Sequence, residues 1–410
     1  MVRTRRQAYN YRNDGDEDGR SKLTSGSASA SQRPETLIAR RQRWAAHLRA
    51  QNYQSVIMEV LQEELPKYTS SSTIGLTPLP HILRECILIL SSAPSVFTAA
   101  VEGALARQLH IDAILQAESV AIHQRAHSQP SIYIHLLADE HGVAPSANQY
   151  MIIRETVMEY LSNDDHEVAW LIDNITPPSV SRSSTAQGHR KYLWTTHRSP
   201  QHVRSLQHFC AGILSRYLET PASERETPFA YPPGECGYSI SAPLRLAQHR
   251  RHQSSNYIMN LTEDICAYLY SANRLPRRFT MHQFIIYLIF RPSQVAIAEI
   301  FCSGLLQVWI ENGGGFNAYP AGRSVASAGR VGVRQWRDFQ RSARVDSRLA
   351  ANLGVQREIL RLKALDLAGD TDAEEAWREA LESESESEGD DVTDLDWLPG
   401  DGDEHNYECV

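Results

Sequence analysis

Four side chains in this sequence have the types and settings that hydrolysis at phosphorus requires. Arg245 and His249 stand four apart in Leu244-Arg245-Leu246-Ala247-Gln248-His249, so on a helix they share one face. An arginine there is a fork-shaped donor suited to a phosphate or a developing oxyanion. Glu299 interrupts an otherwise apolar run of Val295, Ala296, Ile297, Ala298, Ile300 and Phe301. A carboxylate buried in such a helix needs a partner or a metal ion. Tyr133 lies in the β-branched and aromatic stretch Ser131-Ile132-Tyr133-Ile134-His135-Leu136-Leu137. Grouped around a magnesium ion, these residues suit phosphodiester cleavage: metal and arginine stabilise charge, while tyrosine or histidine handles a proton. Each also has an ordinary structural reading. Arg245 and His249 fit a polar helix face, Glu299 a buried ion pair, and Tyr133 plain core packing. Only their ordered combination is informative.

The elements that would position them can be read from periodicity and turn chemistry. The run Ser131–Leu137 reads as a buried strand, as does Phe284–Phe290. Gly237 is expected to let the chain turn sharply from a strand into the loop before the Arg245 helix. From Glu235 to Gly329 the order reads strand, helix, helix, strand and helix, the last spanning Ser293–Glu311 with Glu299 on it. Ser146 is a plausible cap for a helix over Gln149–Leu161. Apolar residues at three- and four-residue steps from Leu37 to Leu61 predict helix, and further helices are expected over His81–Leu90, Ser95–Gln108, Ile111–His123 and Pro200–Leu218. Lys191–Thr196 reads as a short strand. The Gly313-Gly314-Gly315 run lacks the Lys-Ser/Thr of a phosphate loop and reads as a helix stop and turn. The result is a helix-rich α+β protein with a small mixed sheet. Expected boundaries are a disordered arm (1–35), a helical subdomain (36–128), an α+β domain (129–330), a charged helix (331–368) and an acidic disordered tail (369–410).

The segment Cys236-Gly237-Tyr238-Ser239-Ile240-Ser241-Ala242-Pro243-Leu244-Arg245-Leu246-Ala247-Gln248-His249 resembles the second half of the GIY-YIG nuclease signature. Gly237, Ser239, Arg245, Leu246 and His249 fall on its spacing. Phe284–Phe290 resembles the family's third strand, Glu299 matches its metal-binding glutamate, and Ser131-Ile132-Tyr133 is similar to its first motif. The resemblance covers about a quarter of the chain, and it departs in four places. Glu235-Cys236-Gly237 stands where the family has Tyr-Ile-Gly, Ser131 replaces a glycine, about a hundred residues separate the first two motifs, and a helical insertion, roughly Ser254–Tyr270, separates the Arg245 helix from the third strand. It implies a GIY-YIG-like core with catalytic Tyr133, Arg245, His249 and Glu299, the last holding Mg2+ or Mn2+. Ser239, Arg250, Arg251 and Asn317 would contact substrate, either DNA or RNA. The implied function is nucleic-acid binding with metal-dependent endonuclease activity. The missing tyrosine keeps open an alternative, a catalytically degenerate fold serving as a protein-interaction or structural module.

Composition narrows the setting. A chain of 410 residues with 42% hydrophobic and 22% charged residues has material for two or three domains. No uncharged apolar run reaches the roughly 18 residues of a membrane span, so no membrane partner is expected. The basic start Met-Val-Arg-Thr-Arg-Arg leads into polar sequence, so no secretory signal is expected. Six scattered cysteines form no Cys-x-x-Cys pair, which points to a reduced compartment, nucleus or cytoplasm. His202, His208 and Cys210 give only a partial shared helix face for zinc. His123, His127 and His135 read as surface residues at a helix–strand boundary. No Gly-x-Ser-x-Gly elbow is present. The formal net charge of -8 hides an asymmetry: from Asp370 onward 17 acidic residues face Arg378 alone, leaving a body of net +8. The alternating acids and serines Glu382–Glu388 offer phosphorylation sites, and Asp390–Gly400 interleaves acids with apolar residues as a segment that could fold onto a protein partner.

Overall fold

The computed structural model describes residues 35–68, 72–162, 166–193, 199–253, 256–322, 326–366 and 372–386. The arm expected over 1–35 lies almost wholly outside the described residues, as does the tail after Glu386. Three strands, β1 (Ser131–Ala138), β2 (Gly234–Ser239) and β3 (Thr280–Leu288), form one sheet in the order β2-β1-β3. Every residue of β1 is buried. That follows from its central place, with neighbours on both edges and helices on both faces. Tyr133 pairs with Gly237 and His135 with Glu235 across one edge, while His135 faces Gln283 across the other. Both ladders are antiparallel, so the mixed character expected of the sheet shrinks to one parallel bridge, Gly234 to Gly315. The β1–β3 register shifts at Ile132/Tyr133, a bulge of the kind that re-aims side chains beside functional sites.

The parallel bridge reveals what the glycine run does. Residues 314–317 run along the outer edge of β2, with Gly234 N–H donating to Gly314 O at 3.1 Å and Phe316 N–H to Gly234 O at 2.9 Å. The Asn317 side chain continues this pairing: its Oδ1 accepts from Cys236 N–H at 3.1 Å and its Nδ2 donates to Cys236 O at 2.9 Å. A Cβ on Gly315 would lie 1.8 Å from Gly234 O, so only glycine allows this approach. An edge strand that would otherwise expose unpaired backbone is covered.

Helices pack on both sides of the sheet. One core joins Leu37–Arg49, Tyr53–Glu64, Leu79–Ser92 and Gln294–Leu306 to Ile132, Ile134 and Leu136 of β1. A second joins Leu137 of β1 and Met281 of β3 to Ala147–Leu161, Pro200–Glu219 and Tyr257–Ser271. Ser146 caps Ala147–Leu161 through a reciprocal capping box with Gln149. Segment 36–128 is helical throughout its described elements, yet it has no core of its own. It shares one with the sheet, as when Ser92 Oγ lies 3.1 Å from the Tyr287 hydroxyl. No single helix among the described residues is long and apolar enough to cross a membrane.

Four local expectations are corrected. The charged helix of 331–368 is two helices, Val333–Asp346 and Leu349–Asp366, broken where Ser347 Oγ accepts from Leu349 N–H. Ser95–Gln108 likewise splits into Ser95–Val101 and Leu105–Gln108. Lys191–Leu193 is a 3-10 turn rather than a strand, and 194–198 lie outside the described residues. The acidic tail does not begin as disorder: Asp372–Glu386 is a helix with Trp377, Ala380 and Leu381 buried in the first core.

Candidate active site

Antiparallel pairing puts directly opposed residues on one face of a sheet. Tyr133, His135, Glu235, Gly237 and Gln283 therefore share a face. The helix Ala242–Arg250 brings the buried His249 against it, with the His249 ring 4.5 Å from that of His135 and 5.6 Å from that of Tyr133. His249 Nε2 lies 3.4 Å from the Tyr133 hydroxyl. Gly237 has an ordinary backbone here, so the sharp turn expected of it is not its role. Its missing side chain makes room for the Tyr133 phenol, which would stand 2.6 Å from a Cβ at 237.

A cleft of about 760 Å³ opens where β2 ends, bounded by the Ala242–Arg250 helix and the loop after Phe316. Tyr133, Arg245 and Glu299 all line it, together with Ser239 and Asn317. Three of the four expected catalytic residues thus converge on one cavity, and His249 sits behind the phenol of the first. Arg250 and Arg251 do not line it. Both are exposed, and Arg250 turns instead to the Gln283 side-chain oxygen on β3. Asn317 reaches the cleft wall, but its amide is committed to the β2 backbone, which makes it a positioning residue for the strand. Ser239 Oγ accepts from Ser241 N–H at 3.1 Å and shapes the turn into the helix.

The ionisable groups are strongly set by their surroundings. Burial pushes the Glu299 carboxyl up to about 7, reinforced by the charge of Glu235 and opposed by N–H donors from Gly322 and Tyr238. The Gly322 bond to Oε2 measures 2.9 Å. Burial also pushes the Tyr133 phenol well above its ordinary value, with Glu235 adding to the rise and Arg245 working against it. His249 is driven down to about 3, by burial first, so it is neutral near pH 7. Burial pushes the Glu235 carboxyl up, but the hydrogen bond from His135 and the positive surroundings outweigh it and hold the group below the usual carboxylate range.

Several contributors were not legible in the sequence. Glu235 stood out only as a departure from a motif, yet it lines the cleft. His135, expected at the surface, is fully buried and donates from Nδ1 to Glu235 Oε2 at 2.7 Å. Tyr238, Tyr319 and Arg330 also reach the cleft. The inward alternation of β2 was the one available signal for Glu235, since it shares Gly237's parity. The zinc candidates do not meet: His208 is exposed, Cys210 is buried, and the His202 ring stacks on Tyr257 at 4.0 Å. All five described cysteines are free and buried.

Among the described residues no three His, Cys, Asp or Glu side chains converge as a metal cage. Magnesium asks for less, because it keeps several waters and takes one or two carboxylates. Glu299, one of two carboxylates on the wall of a roomy polar cleft with Glu235, fits that mode. No family model, no curated protein and no solved structure matches this chain.

Proposed function

We propose that this chain is a diverged GIY-YIG-like protein acting inside the cell, which hydrolyses phosphodiester bonds of DNA or RNA with Mg2+ or Mn2+ held at Glu299. The observation that carries this reading is the convergence of Tyr133, Arg245 and Glu299 on one cleft from three separate elements, the first more than a hundred residues before the other two in sequence. A bound divalent cation would supply charge stabilisation at the phosphate oxygens. Arg245 offers a second positive group to the same phosphate, with its fork suited to two oxygens. The neutral Tyr133 hydroxyl is a proton donor at the cleft wall, and His249 Nε2 fixes its orientation from behind. The pairing of β2 with the 314–317 loop holds the cleft's floor.

A second reading is supported by Glu235. It occupies the place of the family's second tyrosine and is tied to His135, which is compatible with a fold kept for protein interaction, including a partner for the acidic tail. One experiment separates the two. Purified protein is incubated with supercoiled plasmid and with labelled RNA in magnesium or manganese. Cleavage that requires the metal and disappears in Glu299→Gln supports the hydrolase. Cleavage that is absent, or equal in both proteins, supports the interaction module.

A further inference from the structure

We propose that Glu235 is the proton acceptor of this cleft, taking a proton from the attacking water while the Tyr133 hydroxyl protonates the leaving oxygen. The role rests on the hydrolytic reading above. Its foundation is a chain of side chains that crosses the whole sheet. The Arg250 guanidinium donates to Gln283 Oε1, so the Gln283 amide nitrogen is turned toward His135. That nitrogen donates to His135 Nε2 at 3.2 Å, which leaves Nδ1 as the protonated nitrogen. Nδ1 then donates to Glu235 Oε2 at 2.7 Å. One helix and all three strands each contribute a member, and the last member lines the cleft.

A structural ion pair alone accounts poorly for this arrangement. Placing a carboxylate among buried groups costs several kcal/mol before pairing, and a well-packed apolar pair on this face would be as stable or more so. The chain resembles the orienting partner of a catalytic base: a hydrogen bond to one oxygen fixes the carboxylate and leaves the other for the reaction. Among the described residues no hydrogen bond engages Glu235 Oε1. The charged and titratable groups facing Glu235 are His135 and Tyr133 on β1, His249 and Arg245 on the neighbouring helix, and Glu299 on Gln294–Leu306. Against the effect of burial, the hydrogen bond from His135 and the charge of Arg245 hold the Glu235 carboxyl below its ordinary range, and burial holds the Tyr133 phenol protonated.

The step balances within the cleft. The water oxygen forms a bond to phosphorus as its proton passes to Glu235. The bond from phosphorus to the leaving oxygen breaks, its electron pair stays on that oxygen, and the Tyr133 proton joins it. Glu235 then releases its proton to solvent and Tyr133 regains one, so diester and water become monoester and alcohol.

The test uses full-length protein, a labelled DNA or RNA cleaved by the wild type, and saturating magnesium. Glu235→Gln keeps an oxygen for His135 and should fold. Its kcat is expected to fall by about 10²–10⁴, the range typical of a lost general base, with KM within about threefold. Glu235→Ala should regain at least about tenfold in kcat when formate is added, because a small carboxylate can occupy the vacated space and accept the proton. Formate should not revive Glu299→Gln. A Glu235→Gln enzyme within about threefold of wild-type kcat overturns the proposal. So does a Glu235→Ala enzyme that formate leaves unchanged while its melting temperature is lowered, since that assigns Glu235 to the structural pair. Either result leaves Glu299-dependent cleavage intact. Loss of Glu299 dependence overturns the hydrolytic reading instead, and the role of Glu235 with it.

Discussion

The phenol of Tyr133 lies over Gly237 on the adjacent strand, close enough that a Cβ at 237 would stand 2.6 Å from its hydroxyl oxygen and 2.7 Å from the carbon bearing it. Gly237→Ala should therefore displace the phenol. The expected cost is about 1–3 kcal/mol of stability, the usual range for overpacking, together with loss of cleavage. Urea unfolding of Gly237→Ala, Tyr133→Ala and the double variant measures the clash directly. In the Tyr133→Ala background, Gly237→Ala should cost almost nothing.

Arg245 faces the cleft from the first helix after β2. Losing one preorganised charge stabiliser typically costs about 2.7–4 kcal/mol, or about 10²–10³ in rate. Arg245→Ala should show that loss under single-turnover conditions. Arg245→Lys should not restore it, because an ammonium lacks the two-pronged donor geometry.

Glu299 gives the metal-free protein a defined pH response. Its carboxyl titrates at about 7 in the fold, above the ordinary carboxylate value of 4.5. Below 4.5 both folded and unfolded chains hold the proton. Between 4.5 and about 7 the unfolded chain releases it first, so stability falls as pH rises through this window and levels off above it. The loss is on the order of a few kcal/mol. Melting temperatures in EDTA from pH 4.5 to 8 should decline in the wild type more than in Glu299→Gln, and magnesium should restore the wild type at pH 8.

The acidic end of the chain divides at Glu386. Trp377, Ala380 and Leu381 pack into the first core, so truncation after Leu367 should lower the melting temperature by exposing their partners. Truncation after Glu386 removes nine acidic residues and no lysine or arginine, leaving the packed helix in place. A tethered polyanion competes with nucleic-acid phosphates for a basic surface. The shorter cut should tighten nucleic-acid binding at low salt, with the gain shrinking as ionic strength rises. Phosphorylation within Ser383–Ser387 would deepen the competition in the full-length chain.

How much was legible follows from which forces shape each element. β1 and β3 carry apolar, β-branched runs, and the order of strands and helices from Glu235 to Leu306 is as read. Ser146 announced its helix because capping is local chemistry. Tyr133, Arg245 and Glu299 could be gathered in advance because each had a definite place on an element. His135 and Glu235 could not, since their burial depends on a cross-strand register fixed by residues a hundred positions apart. The Asp372–Glu386 helix was hidden by its charge, although Ala373, Trp377, Ala380 and Leu381 recur at three- and four-residue steps. Arg250 ends the Ala242–Arg250 helix and Arg251 caps it, and neither lines the cleft, although Gln248 just before them does.

The central claim is that the cleft formed by Tyr133, Arg245 and Glu299 cuts phosphodiester bonds with a divalent cation. The most direct measurement is the single-turnover cleavage rate of wild type and Glu299→Gln, purified in parallel and titrated with magnesium. The account predicts a rate in the wild type that saturates with magnesium and vanishes in EDTA, and a loss of at least about 10²-fold in Glu299→Gln despite an intact fold. Equal rates for the two proteins across the magnesium range would contradict it.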